Sequence, residues 1–432
     1  MPDALLPRVT RILESQPVTD MHTHCYAPSM GHSANTPAGG EALLLFGIDE
    51  LVTYHYLVAE VFRVAPPNEL PYEKFWAMSK REQADHIWRR LFIDRTPVSE
   101  ACRGVLTTLA ALGLDPNERT LEPYRRWFAQ QDASAYVDRV MELANVDSIT
   151  MTNEVFSDHE RRLWLENPAA CRDSRFRAVL RIDRLLRDRT GSITTLRQLG
   201  YEVSTEFTRH TVDELRRFLD DWIRRMDPTY VATSLPPEFR YPDPDDPATD
   251  RFIREVLMPT LEDHGLPWAM MIGARLRVNP ALEQAGDMVG KADVQAVVHL
   301  CREFPRNRFL VTMLSRENQH ELCVAARKFG NLMPFGCWWF LNNPSIIEEI
   351  TRERVELLGA SFIPQHSDAR VLDQLVYKWA HSREIIARVL ADKYADLERT
   401  GYRVTDEHIA RDARLLLRDN FRAFARPESA AT

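Results

Sequence analysis

Residues 17–26 read PVTDMHTHCY, and the two histidines in that stretch, His22 and His24, stand one residue apart behind a short apolar run and an aspartate. In extended backbone, residues two apart project from the same face, so both imidazoles can reach one ion. Imidazole nitrogen is a good ligand for zinc and similar metals. The same doublet also occurs as two polar residues of an ordinary loop, so a third ligand from elsewhere has to decide. The stretch PQHSDAR, residues 364–370, offers one. With the same period of two, His366, Asp368 and Arg370 face one way. His22, His24 and Asp368 make three protein ligands and leave a position for water or substrate, which is the arrangement of a catalytic site. The competing reading is an Asp–Arg surface pair that caps the next helix.

For two such distant segments to meet, the fold must bring its first and last strands together. Short apolar runs recur between long helical patterns at Val18–His22, Ser148–Thr152, Val179–Asp183, Thr229–Ser234, Trp268–Gly273, Phe309–Leu314, Leu332–Cys337 and Ser361–His366. Continuous apolar strands separated by helices are what a parallel sheet buried on both faces requires. Eight such units predict an α/β fold, a closed (β/α)8 barrel of TIM type in which strands one and eight are neighbours. The whole chain, 1–432, reads as one barrel domain. Its one long excess, about 40–140, is strongly helical (LVTYHYLVAEVFRV, PYEKFWAMSKREQADHIWRRLF, SEACRGVLTTLAALGL) and follows strand one. An insertion there sits over the C-terminal mouth, where catalytic groups gather. The tail from about 371 is helical and ends in RPESAAT, which reads as disordered. Strands four to six (YVATS, WAMMIG, FLVTML) carry no His or Lys, so a metal site here holds one ion.

Other residues suit a role at that mouth. Arg181 and Asp183 are two apart at the end of strand three, and arginine suits a bidentate grip on a substrate carboxylate. Trp338 and Trp339 leave strand seven, where aromatics either fill a core or stack on a sugar. His55 and Tyr56 lie in the helical insertion, where amphipathic packing is the plainer reading.

Composition removes several function classes. A formal net charge of −8 argues against binding nucleic acid or an anionic membrane. No apolar run reaches the roughly 20 residues of a membrane helix, and no signal peptide is visible. Six cysteines without CxxC spacing read as reduced thiols of a cytoplasmic protein. There is no GxGxxG and no GxxxxGK[ST], so nothing favours nucleotide binding.

Taken together, DMHTH, YHYLVAEVFR, EKFWAMSKREQADHIWRRLF, the IGA of MMIGARLRVN, MLSRENQHEL, WWF and HSDAR resemble the uronate isomerase family of the amidohydrolase superfamily, over nearly the whole length. Members are (β/α)8 barrels that interconvert aldose and ketose sugar acids of the D-glucuronate and D-fructuronate type. The resemblance implies one divalent ion, usually zinc, on His22, His24 and Asp368. It places Arg370 beside the reacting carbons, matches His55 and Tyr56 to the family's His-Tyr pair, and sets Arg181 near the substrate carboxylate. Two positions depart from the family pattern: Met271 stands where a histidine is common, and His366 is a histidine gained. His366 is therefore expected, with Arg181, Asp183, Trp338 and Trp339, on the substrate side of the site.

The implied reaction is isomerisation of a hexuronate through an enediol, with Asp368, Arg370, His55 and Tyr56 as catalytic groups and a small sugar acid as substrate. Self-association into a homo-oligomer is compatible with this class. One alternative is a mononuclear metal-dependent hydrolase or lyase acting on a sugar acid, lactone or related carboxylate. Another is a non-catalytic sugar-acid-binding barrel, which only Met271 favours.

Overall fold

The computed structural model describes residues 5–33, 42–66 and 68–426. Residues 427–432, which hold most of the RPESAAT tail, and residues 40, 41 and 67 of the helical segment lie outside the described part. Eleven strands are present among the described residues. They are β1 (Val18–Asp20), β2 (Val146–Thr150), β3 (Asn153–Glu154), β4 (Phe176–Arg177), β5 (Leu180–Arg181) and β6 (Val231–Leu235), then β7 (Trp268–Ile272), β8 (Ala274–Arg275), β9 (Met288–Val289), β10 (Phe309–Met313) and β11 (Leu332–Pro334).

Pairing is parallel in two runs, β1-β2-β4 and β11-β10-β7-β6-β5-β3. β3 continues the line of β2, and β5 that of β4. Met151 N–H donates to Arg177 O (2.8 Å) and Asn153 N–H to Val179 O (3.2 Å), which carries the pairing across the breaks. The ring closes through residues 361–369. On one side Gly336 N–H donates to Ile363 O (2.8 Å), and on the other Asp368 N–H donates to His22 O (3.0 Å) and His24 N–H to Ala369 O (2.7 Å). The architecture is thus the α/β barrel that the strand count predicts.

The eighth position differs from the expected strand Ser361–His366. It makes one bridge, Phe335 with Ile363, and no longer ladder. Pro364 has no N–H to offer, and Asp368 takes a left-handed backbone conformation (φ 49°). Period two therefore does not run through PQHSDAR. A second difference is the antiparallel hairpin β8–β9, which the sequence reading did not anticipate.

Alternation explains the interior. Tyr230, Ala232, Ala269, Met271 and Leu310 point inward with Met21, Val179, Phe335 and Ile363. Their neighbours Val231, Trp268, Met270, Ile272, Phe309 and Val311 point outward, to the helices. Phe421 and Ala425, from the helix Asn420–Ala425, join the inner cluster and stop one end of the barrel. Between β1 and β2 the chain forms helices that include His55–Val64, Lys80–Trp88, Glu100–Ala111 and Ala133–Ala144. Serine and aspartate caps open several of them: Ser79 pairs reciprocally with Glu82, and Ser99 and Asp132 accept from Cys102 and Ala135 N–H groups. Among the described residues no helix is long and apolar enough to cross a membrane.

One buried cation fixes where β1 and β2 begin. Arg383, on the helix Gln374–Arg399, donates to the carbonyls of Leu13 (2.9 Å), Gln16 (2.9 Å) and Asn145 (2.8 Å), just ahead of the two strands. Arg383→Met removes these charge-assisted bonds and leaves Gln16 O without a donor among the described residues, and is expected to cost about 3 kcal/mol, read as a lower midpoint in urea unfolding. An unchanged midpoint would show that water satisfies those carbonyls equally well.

Candidate functional site

β1 ends at Asp20, but its backbone stays paired on both sides through His24. Thr23 N–H donates to Thr150 O (2.9 Å), and His22 O and His24 N–H bond the eighth position as above. Asp20 locks this arrangement: its buried carboxylate accepts from Ser367 N–H (3.2 Å), Trp379 Nε1 (2.8 Å) and His22 N–H (3.3 Å). Lys378, equally buried, donates to Ser367 O (2.5 Å). The left-handed turn at Asp368 is thereby held from three directions.

His22, His24 and Asp368 consequently meet. One ligand atom from each lies within 4.8 Å of the others. Nε2 of His22 stands 3.6 Å and Nε2 of His24 3.4 Å from Asp368 Oδ1. Both are long for a hydrogen bond, and Oδ1 is buried with no hydrogen-bond donor among the described residues. The other ring nitrogens are engaged. Tyr230 gives its proton to Met21 O (2.5 Å), so at 3.3 Å it accepts from His22 Nδ1. Thr152 gives its proton to Thr23 O (3.1 Å), so at 3.0 Å it accepts from His24 Nδ1. Each imidazole is thus fixed in the tautomer that leaves Nε2 bare. Burial lowers the pKa of His22 well below the usual range and that of His24 to about 4. Burial acts against the Asp368 carboxylate, but His24, His22 and Lys378 outweigh it and hold the group ionised. Two neutral imidazoles and one carboxylate, with an orphaned oxygen between them, fit one divalent ion.

The cluster opens into a cavity of about 280 Å³. His55, Arg181, Met271, Trp338, Trp339 and Arg370 line it with the three ligands. His55, at the start of its helix, is kept neutral by burial, and its Nε2 is unpartnered among the described residues. Arg181 donates from Nε and Nη2 to Asp183 (2.9 Å each) and from Nη2 to Ser234 Oγ (3.4 Å), which leaves Nη1 without a partner among the described residues. Trp339 stacks on Phe340 and meets the His55 ring edge-on at 5.7 Å.

Three expected residues stand elsewhere. Asp183 is buried behind Arg181, where Ser234 N–H (2.7 Å) also holds it, so it braces that arginine and does not line the cavity. Tyr56 is half-buried against the His55 and Tyr54 rings, its hydroxyl buried and Lys378 Nζ 6.0 Å from its ring, because consecutive helical residues diverge. His366 is fully buried off the wall, its ring 5.4 Å from that of His22 and 5.3 Å from Phe335. The break in period two at Pro364 and Asp368 turns it inward. Gly336 makes room for it, since a Cβ there would lie 1.8 Å from His366 Nδ1.

Several wall residues were not anticipated: Arg187, Ser234, Leu276, Arg277, Gln284 and Asp287. Most come from the segment between β8 and β9. Thr152 and Tyr230 were also passed over, although a hydroxyl at an inward-facing strand position was a usable signal.

Comparison with known proteins adds an independent line. No protein-family model matches the chain, and no curated protein does. Among solved structures, a uronate isomerase from Bacillus halodurans C-125 is 55% identical, with 98% of this chain and 97% of that one covered and a TM-score of 0.92. A uronate isomerase from Thermotoga maritima is 15% identical, with 97% of each chain covered and a TM-score of 0.74. A glucuronate isomerase from Caulobacter crescentus is 13% identical, with 98% and 94% covered and a TM-score of 0.75. The latter two carry the fold alone.

Two measurements test the ligand geometry. Tyr230→Phe and Thr152→Val each free a histidine tautomer and are expected to weaken zinc affinity about 10–100-fold, read by competition with a chelator. Because His24 is pushed down to about 4, protons compete for the site only in acid. Zinc content after dialysis should hold from neutral pH to about pH 5 and fall below that. Loss that begins near pH 6.5 would contradict the buried, neutral imidazoles.

Proposed function

The chain belongs to the uronate isomerase family, and from that membership and the geometry of the cavity we propose that it interconverts a hexuronate and the corresponding ketose acid, of the D-glucuronate to D-fructuronate type. The observation that carries the reading is the convergence of His22, His24 and Asp368 within 4.8 Å, in the cavity that Arg181 and Arg370 also line.

Two imidazoles and a carboxylate suit zinc. A divalent ion bound there supplies Lewis-acid polarisation of the carbonyl and its neighbouring hydroxyl. The chain's own groups do the rest. Arg181, braced by Asp183 and Ser234, offers its Nη1 to the C6 carboxylate and sets the register of the sugar. His55, neutral and with Nε2 unpartnered, is suited to take the ring hydroxyl proton during opening. Tyr56 then acts through His55, as the ring it packs against.

A proton leaves C2 and one is delivered to C1, by a group whose proton exchanges with solvent. Two carboxylates line the cavity, Asp368 and Asp287. Asp287 already accepts from Arg277 N–H (2.7 Å), so Asp368 is the group assigned to the transfer. Arg370, whose Nη1 donates to Gln284 at 3.3 Å, keeps further donors for the enediolate oxygen. Trp338 and Trp339 give the sugar an apolar wall.

Proton NMR in deuterated water, with a panel of uronates and added zinc, tests the reaction. The isomerase reading expects aldose and ketose acids to interconvert with solvent hydrogen entering at C1 or C2. Irreversible entry of oxygen-18 from water into the product would instead mark a hydrolase. His22→Ala should abolish turnover, while Arg181→Gln should raise KM about tenfold or more with a smaller effect on kcat. Equal effects of the two substitutions would contradict this division of roles.

A further inference from the structure

The cavity is basic in a chain whose formal net charge is −8. Arg181, Arg187, Arg277 and Arg370 face it, against the carboxylates of Asp287 and Asp368. These arginines are not equivalent. Arg181 is matched by Asp183, and Arg370 is held by Gln284. Arg187 and Arg277 have no carboxylate partner among the described residues, so their charge is open to the cavity and to solvent.

Arg277 differs from Arg187 in its backbone. It adopts the left-handed region (φ 51°), which a long side chain rarely enters. Its N–H is clasped by Asp287 Oδ1 at 2.7 Å across the loop. The loop ends are fixed by the β8–β9 pairing and by Gly290 N–H donating to Gly273 O at 2.8 Å. Its middle is tied to the helical segment by Trp76 Nε1, which donates to Ala281 O at 2.8 Å. A strained position kept by several independent bonds, with an uncommitted cation over a ligand cavity, is where such outliers serve binding.

We propose that Arg277 is a substrate ligand, whose guanidinium receives the carboxylate of the sugar acid together with Nη1 of Arg181. The hairpin β8–β9 thereby contributes to selection of anionic sugars over neutral ones. The proposal rests on the sugar-acid reading above and deepens it. Arg187 carries the same charge in the same cavity without the clasp or the strained backbone, so it reports general electrostatic attraction.

The test uses the full-length, zinc-loaded protein and D-gluconate as the probe, with binding read by titration calorimetry at low and high salt. Arg277→Gln is expected to weaken binding about tenfold or more at both salt concentrations. Arg277→Lys should recover part of the loss, and Arg187→Gln should lose affinity at low salt only. In turnover, Arg277→Gln should raise KM for the uronate while kcat stays within about threefold. Binding by Arg277→Gln within about twofold of the parent would overturn the proposal. So would equal losses in the two glutamine variants that both vanish in high salt. A parent that binds D-gluconate but isomerises no uronate sinks the isomerase reading and leaves this one standing; a parent that binds no sugar acid overturns both.

Discussion

Asp368 reaches His22 and His24 because the first and eighth positions of the barrel are hydrogen-bonded to each other. The bonds from Asp368 N–H to His22 O and from His24 N–H to Ala369 O fix the three ligands in one register. A parallel ring has this property at one seam only, where the ends of the chain meet. The eighth position buys it with an irregular backbone: a single bridge at Ile363, Pro364, and a left-handed Asp368. Such a segment would not hold by ladder bonds alone. Asp20 and Lys378, both buried, grip Ser367 from its N–H and its carbonyl, and Trp379 and Arg383 tie the same long helix to β1 and its lead-in.

The electrostatics of the site follow from that enclosure. Two imidazoles taken out of water stay neutral, and hydroxyls that have already spent their protons on backbone carbonyls decide which nitrogen is bare. The carboxylate between them is ionised and short of donors. Each group alone is ordinary. Their coincidence is a ligand set prepared before any ion arrives, which lowers the reorganisation that binding demands.

Much of this was legible in the sequence, for reasons that are physical. Buried parallel strands must be apolar, so WAMMI and FLVTM announced themselves and seven of the eight strand positions followed. His22 and His24 were readable because extended backbone places residues two apart on one side. The same rule misplaced His366, since period two holds only while the strand lasts, and Pro364 ends it. Asp183 looked like a substrate contact because charge at a strand end suggests a ligand, whereas here it spends both oxygens on Arg181. The hairpin β8–β9 was missed because two-residue strands carry no periodicity, and with it went Leu276, Arg277, Gln284 and Asp287. Side chains that act through a neighbour, such as Asp20 and Lys378, leave no mark in spacing; only the packed structure shows what they touch.

The claim on which all of this rests is that three side chains from the two ends of the chain hold one ion. X-ray absorption at the zinc edge, with anomalous scattering from zinc-loaded crystals, tests it most directly. The account predicts one ion with two imidazole nitrogens and one carboxylate oxygen at about 2.0–2.2 Å, assigned to His22, His24 and Asp368. An ion bound without Asp368, or one ligated by His366 in its place, would contradict it.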